Sequence, residues 1–366
     1  MAHAVGRAFG IIGLGTIAEF HARAIQAMAG GHLACAFSRS GGEKAAKFAA
    51  DFGCKLYTED FNAFLKHPGL DIVTVTTPSG AHLEPVVAAA KAKKHILCEK
   101  PLEITLERCD KMLAACKKNK VKLGGVFQTR SKGAIKLVKD AIDSRRFGKL
   151  TVINAIIPWH RTQQYYDSGG WRGTWELDGG GALMNQSIHT VDILQHFGGP
   201  LKELTAYAGC LAHKRIEVED TAAAALKFKN GAIGVLLAST AMFPGDLSEV
   251  HVSGEHGSAR LRDGFLTFWK FDKEEPGDAQ KLIDFGPQDS GNKGGAGDPR
   301  AISFVNHQRQ FENFVRSLDK SEPLLVDGSE ARKTVEIILG VYQSALTGKA
   351  VRFPLKKTPK RGKFAK

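Results

Sequence analysis

The stretch Phe9-Gly10-Ile11-Ile12-Gly13-Leu14-Gly15-Thr16-Ile17-Ala18 decides how the rest of this chain is read. An apolar run closes on a glycine, as a buried parallel strand does. Beyond it, Ile17, Phe20, Ala24, Ile25 and Met28 recur at helical spacing. Gly13-x-Gly15-x-x-Ala18 therefore joins a strand to a helix, the setting in which a glycine fingerprint has physical meaning. Gly13 permits the tight turn, Gly15 lets a pyrophosphate approach the backbone, and Ala18 lets helix pack closely on strand. The phosphates would lie on the helix N-terminus, against Gly13, Gly15, Thr16 and Ile17.

Outward from this turn the pattern repeats. Strands are expected at His32–Phe37, Asp71–Thr76, His95–Cys98 and Lys122–Phe127, and helices at Glu43–Phe52, His82–Lys93 and Leu106–Lys118. Strands alternating with helices of about a dozen residues mean a doubly wound parallel sheet. The second half changes character. Strands are expected at Leu150–Ile157, Leu204–Cys210, Thr221–Phe228, Ala232–Thr240, Glu249–Ser253, Ser258–Arg262 and Phe265–Phe271. Asn230-Gly231 between two of them signals a hairpin. A helix over Ala182–Phe197, a loop over Asp284–Asp298, and closing helices over Phe304–Leu318 and Ser329–Leu346 complete an α+β domain.

The 366 residues, 43% hydrophobic and 24% charged, provide for two globular domains. No apolar run reaches the ~20 residues that span a bilayer, so no membrane partner is expected. The N-terminus has no apolar segment of secretory type. The six cysteines show no Cys/His metal spacing, so no metal is expected, and they read as reduced thiols of a cytoplasmic protein. The net charge of +13 raises nucleic acid as a partner, but its layout argues against it. Residues 356–366 carry six basic and no acidic side chains and read as the end of a disordered tail over 354–366. The rest of the excess is dispersed and suits an anionic cofactor or a sugar phosphate.

Three segments leave expected strands at the edge where open α/β sheets bind ligands. After the second strand, Phe37-Ser38-Arg39-Ser40 lacks the acid that grips the ribose of NAD. Ser38 can donate to a 2′-phosphate and Arg39 can pair with it, which favours NADP over NAD. After the third, Thr76-Thr77-Pro78 leads to His82, either a cofactor contact or an ordinary residue at a helix start. After the fourth comes Glu99-Lys100-Pro101. A proline allows a cis bond there, aiming Lys100 into the cleft. Beside a cationic nicotinamide the ammonium form is disfavoured, which suits Lys100 to exchange a proton with a substrate hydroxyl.

In the second half, Gly179-Gly180-Gly181 opens the helix that carries Asn185, His189 and Asp192. Positions 185 and 189 share a helical face. His189 is suited to proton exchange near neutrality. Asn185 can hold its ring or bind a substrate hydroxyl, and Asp192 can pair with His189 or make a structural hydrogen bond. Upstream, 159–166 and 169–175 mix aromatic and hydrogen-bonding side chains, Arg161 and Tyr165 among them. Such mixtures suit sugar rings or subunit contacts. Lys100, Arg161, Tyr165, Asn185, Gln186 and His189 are the candidate substrate contacts.

Gly13-x-Gly15-x-x-Ala18, Glu99-Lys100-Pro101 and Gly180-Gly181-x-x-x-Asn185-x-x-x-His189-x-x-Asp192 together resemble the Gfo/Idh/MocA family (glucose–fructose oxidoreductase, inositol dehydrogenase, MocA) over residues 8–353. The resemblance implies an α/β Rossmann domain over 8–128 and an α+β domain over 129–353 with an open-faced, mostly antiparallel sheet. That sheet would form a homodimer or homotetramer. It also implies an NAD(P)-dependent oxidoreductase acting on a secondary alcohol of a sugar, sugar derivative or cyclitol. Lys100 matches the family's catalytic lysine and His189 its catalytic histidine. Trp171 and Arg172 resemble a cofactor-contacting pair, and Gln128 a polar residue near the nicotinamide; Thr77, Pro78 and Glu99 complete the expected cofactor contacts. Many members have aspartate where this chain has Asn185, which can orient but cannot take a proton. Redox-neutral glycoside cleavage or isomerisation with a retained cofactor, and a nucleotide-sensing regulator, are the other functions the resemblance admits.

Overall fold

The computed structural model describes residues 6–39, 41–54, 56–287 and 303–364. Two compact units form: Met1–Gln128 with Ser303–Arg332, and Thr129–Ile302 with Lys333–Lys366. Residues 303–332, expected in the second domain, instead complete the first.

The first unit is a six-stranded parallel sheet in the order β3-β2-β1-β4-β5-β6. Its strands are β1 (Arg7–Ile12), β2 (Gly31–Phe37), β3 (Leu56–Thr58), β4 (Leu70–Val75), β5 (His95–Cys98) and β6 (Leu123–Gly125). The helices are α1 (Thr16–Ala27), α2 (Gly42–Asp51), α3 (Phe61–Leu65), α4 (Leu83–Lys91) and α5 (Leu106–Asn119). The sequence missed β3 and α3; three residues are too few to show a period, and α3 is announced only by its Asp60 cap, which accepts from the Asn62 and Ala63 amides. The chain reverses its winding direction at β1, which pairs with both β2 and β4. A topological switch point of this kind opens a crevice at the carboxyl edge of the sheet.

Residues 303–332 join this unit because one face of a late helix is aromatic. Phe311 and Phe314 are buried in the cluster of Phe9, Ile11, Ala18, Ala22 and Ile25. Phe311 stacks on Phe9 at 6.1 Å between ring centres. Burial of such side chains contributes roughly 1.5–3 kcal/mol each, enough to draw a segment distant in sequence onto α1 and β1.

The second unit is built on an eight-stranded sheet, β13-β12-β11-β7-β10-β9-β8-β14. Its strands are β7 (Leu150–Pro158), β8 (Leu201–Gly209), β9 (Thr221–Phe228), β10 (Ile233–Ser239), β11 (Glu249–Gly254), β12 (Gly257–Arg262), β13 (Phe265–Phe271) and β14 (Val351–Arg352). All pairs are antiparallel except β7 with β10. Asn230-Gly231 makes the β9–β10 hairpin, with Asn230 accepting from the Ala232 amide at 3.0 Å. Burial alternates along β9: Ala222, Ala224, Leu226 and Phe228 point inward. Outward stand Tyr207, Ile233, Val235 and Phe268, all exposed. Helices α6 (Gly133–Asp143), α7 (Gln163–Asp167), α8 (Ile188–Gly198) and α9 (Asp278–Asp284) lie in this unit. Then α10 (Val305–Asp319) carries the aromatic face described above, and α11 (Gly328–Thr347) runs from the first unit's residues into the second's.

Two expectations are corrected here. The tail does not stand free: Leu355 and Phe364 are buried, and Phe364 lies against Trp175 and Tyr342. Its apolar residues, at both ends of the basic stretch, outweigh the charge between them. The loop expected over 284–298 is helical at its first residue, Asp284; its residues 288–298 lie outside the described ones.

Candidate active site

In the first unit the predicted residues gather along the carboxyl edge of the sheet. Gly13 adopts φ +90°, and a Cβ there would press on the Thr76–Thr77 backbone at 3.0–3.1 Å. Gly15 begins α1 with no side-chain cap, and the space over its Cα is open to 4 Å. Among the described residues no side chain caps the first amides of α1, at Thr16 and Ile17, and a pyrophosphate fits that cradle. Thr76 braces the turn, its hydroxyl donating to the Gly13 carbonyl at 2.5 Å. Ser38 follows β2 half-buried and Arg39 is exposed.

His82 and Glu99, both expected as cofactor contacts, are buried and brace the segments around them. His82 is buried, with Nδ1 2.9 Å from the Pro101 carbonyl and Nε2 2.9 Å from the Thr77 carbonyl. It ties the segment after β4, with Thr77 and Pro78, to the segment after β5. Glu99 is buried too: Oε1 meets His21 Nε2 at 2.9 Å and Oε2 accepts from the Lys100 amide at 3.0 Å. Burial alone would raise this carboxyl, but the His21 hydrogen bond and charge outweigh it and bring it to about 2. Lys100 follows on a cis Lys100–Pro101 bond and is half-buried. Gln128 ends the unit, half-buried at the start of a 3-10 turn over Gln128–Ser131.

In the second unit the expected single helix over 182–197 is two. Residues Ala182–Ser187 form a π-helix, and α8 begins at Ile188. Such widened turns recur at functional sites, and here Asn185 and Gln186 lie within it. The cause lies behind the glycines. A Cβ on Gly181 would meet the Glu219 carbonyl oxygen at 1.8 Å. The Glu219 side chain accepts from the Gly181 amide (3.0 Å), the Leu183 amide (2.8 Å) and the Tyr342 hydroxyl (3.0 Å). Burial pushes the Glu219 carboxyl up to about 7 against those bonds.

Around the π-turn four of the substrate candidates, Arg161, Tyr165, Asn185 and Gln186, form one network. Arg161, buried, donates to Gln186 Oε1 at 3.1 Å. Gln186 donates to the Tyr165 hydroxyl at 2.6 Å and to Asn185 Oδ1 at 2.9 Å. Arg172 donates to the same hydroxyl at 2.7 Å and lies over the Tyr165 and Trp171 rings. Burial raises the Tyr165 phenol, so it stays protonated near neutrality. Asn185 donates to Asp178. Asp178, buried, also accepts from the Gly173 amide at 2.9 Å. It escaped the sequence reading because only folding of the 173–185 segment brings it to Asn185.

Asp192 has a structural role. It accepts two bonds from Arg130 at 2.7 Å each and one from Thr334 at 3.1 Å. His189 stands half-buried one turn earlier on α8. All six cysteines are free, as expected, and among the described residues no helix is long and apolar enough to cross a membrane.

Comparison with known proteins agrees with this architecture. Residues 7–126 match a family described as "Oxidoreductase family, NAD-binding Rossmann fold", and residues 135–260 one described as "GFO/IDH/MocA C-terminal domain". Myo-inositol 2-dehydrogenase of Thermotoga maritima is 30% identical over 254 residues, 68% of this chain and 73% of the relative. The 1,5-anhydro-D-fructose reductase of Ensifer adhaerens is 32% identical over 260 residues, 68% and 74% of the two chains. Among solved structures, the WlbA dehydrogenase of Bordetella pertussis in complex with NADH and UDP-GlcNAcA superimposes with TM-score 0.84 at 30% identity, over 95% of this chain and 98% of that one.

Proposed function

From the premise that this chain belongs to the Gfo/Idh/MocA family of oxidoreductases, we propose that it oxidises or reduces a secondary alcohol of a sugar, sugar derivative or cyclitol. A nicotinamide dinucleotide, when bound, supplies the acceptor or donor of hydride. The Gly13–Gly15 turn and the amides of α1 hold its pyrophosphate. Ser38 and Arg39 receive the adenosine ribose and favour NADP, and Gln128, Trp171 and Arg172 complete its contacts.

Lys100 and His189 handle the hydroxyl proton. The observation that carries this reading is the placement of Lys100 directly after β5, its backbone held by Glu99 and Pro101 at the carboxyl edge of the sheet. Asn185 has no proton to exchange; its amide orients, with the Asp178 carboxylate behind it. Arg161, Tyr165 and Gln186 bind substrate oxygens. The cationic pair Arg161 and Arg172, both within 6 Å of the Tyr165 ring, favours a substrate with a negative charge, and WlbA's UDP-GlcNAcA is the example among relatives. The exposed apolar row on the eight-stranded sheet is where a homodimer or homotetramer would form.

The test is nicotinamide absorbance on mixing the protein with NAD⁺ or NADP⁺ and neutral or acidic sugars, sugar nucleotides and inositols. Substrate-dependent reduction is expected, lost by ~10²–10⁴-fold in Lys100→Ala with dinucleotide affinity retained. Full turnover in that variant would sink the assignment of Lys100; failure of the wild type to bind either dinucleotide would sink the whole reading.

A further inference from the structure

We propose that His21, Glu99 and His307 form a binding site for one zinc-class divalent ion inside the first unit. The three side chains are buried, and one ligand atom from each lies within 4.8 Å of the others. His21 comes from α1, Glu99 from the end of β5 and His307 from α10. Two imidazoles and a carboxylate are a donor set that suits Zn²⁺.

His307 is the observation that points to a ligand. Its ring is 1% exposed, and neither nitrogen has a hydrogen-bond partner among the described residues. A buried polar pair left unsatisfied is rare and calls for an ion or another partner.

The outer contacts are those a metal site needs. His21 Nδ1 lies 2.7 Å from the Thr74 hydroxyl, which leaves Nε2 facing Glu99 Oε1 at 2.9 Å. An ion bound there would take the place of the proton that Nε2 shares with Glu99 Oε1. Glu99 Oε2 is anchored on the Lys100 amide. Such partners orient ligands and set their tautomers. With Zn–N and Zn–O bonds of about 2.0–2.2 Å, the cluster closes around an ion through a shift of His307 on the order of an ångström. Water fills the fourth position. The ion would pin α10, which returns from late in the chain, onto the nucleotide-binding helix and the strand before Lys100. The sequence showed no metal spacing because its ligands lie in three separate segments of the chain.

The experiment uses the full chain, free of any histidine tag, saturated with Zn²⁺, desalted and assayed for metal by mass spectrometry. About one zinc per chain is expected in the wild type and less than a tenth of that in His307→Phe, whose ring suits the neighbouring Phe20 and Phe311. Cobalt loading should give a visible ligand-field band in the wild type alone, and added zinc should raise its melting temperature by several degrees. A wild type that retains no zinc and shows no cobalt band overturns the proposal, whether or not the variant folds. So does equal zinc in a folded His307→Phe.

Discussion

Glu99 in the first unit and Glu219 in the second are both buried behind a segment of the candidate site, yet they are held in opposite ways. Glu99 faces the His21 imidazole and is brought down to about 2. Glu219 faces two amides and a phenol, with no cation, and is pushed up to about 7. Hydrogen bonds to neutral donors do not offset the loss of water as an adjacent positive charge does. Their contributions to stability therefore run oppositely with pH. The Glu99 contribution is present above its unfolded value near 4.5 and is lost as pH falls toward 2. The Glu219 contribution is complete below 4.5 and is lost as pH rises through about 7.

The contrast can be broken most severely at a third buried acid. Asp192 has its cation in Arg130, both side chains 2% exposed or less. Arg130→Met removes that cation from a buried carboxylate and should cost ~3–5 kcal/mol in urea unfolding; a loss under 1 kcal/mol would mean that Asp192 is neutral or reaches water. Next comes Glu219 itself. Between pH 4.5 and about 7 its proton stays on in the folded state and leaves in the unfolded one, so wild-type stability should fall by about 3 kcal/mol across that range. Glu219→Gln cannot titrate, and its unfolding curves should lose that part of the slope. An unchanged slope would assign it to other groups.

Gly181→Ala sharpens the same region sterically. The added methyl would strike the Glu219 carbonyl, at a cost of ~1–3 kcal/mol. By displacing the π-turn it should also lower turnover. A variant with native stability and activity would show that the glycine contact is dispensable. The smallest effect is expected for Tyr342→Phe, which removes one hydrogen bond to Glu219. A loss of ~0.5–1.5 kcal/mol above pH 7, shrinking at pH 5 where Glu219 is protonated, is the outcome to measure. Equal losses at both values would detach Tyr342 from the charge of Glu219.

Local periodicity made most of the fold legible. Every strand of four residues or more and most of the long helices stand within a few residues of their expected places, because apolar spacing and glycine turns act over short stretches; the helix α6, Gly133–Asp143, was not expected. The short strands β3 and β14 carried no period. The candidate site was legible where it is written locally, at Gly13–Ala18, Glu99–Pro101 and Gly179–His189. Its supports were not: Asp178 under Asn185, Glu219 under Gly181, Arg130 on Asp192, and His21 with His307 at Glu99.

The sequence by itself determined the parallel sheet with its glycine turn, the sheet-rich second half, and Lys100 and His189 as the candidates to test for proton handling. Those follow from residue type and spacing along the chain. Only the tertiary structure decided that residues 303–332 return to the first unit, that the basic tail packs through Leu355 and Phe364, and that Ala182–Ser187 widens into a π-turn. It also decided that His82 and Glu99 face inward as braces. The reason is physical: burial sets the charge of a carboxylate or an imidazole and the worth of an aromatic face, and burial is a property of what the chain folds against.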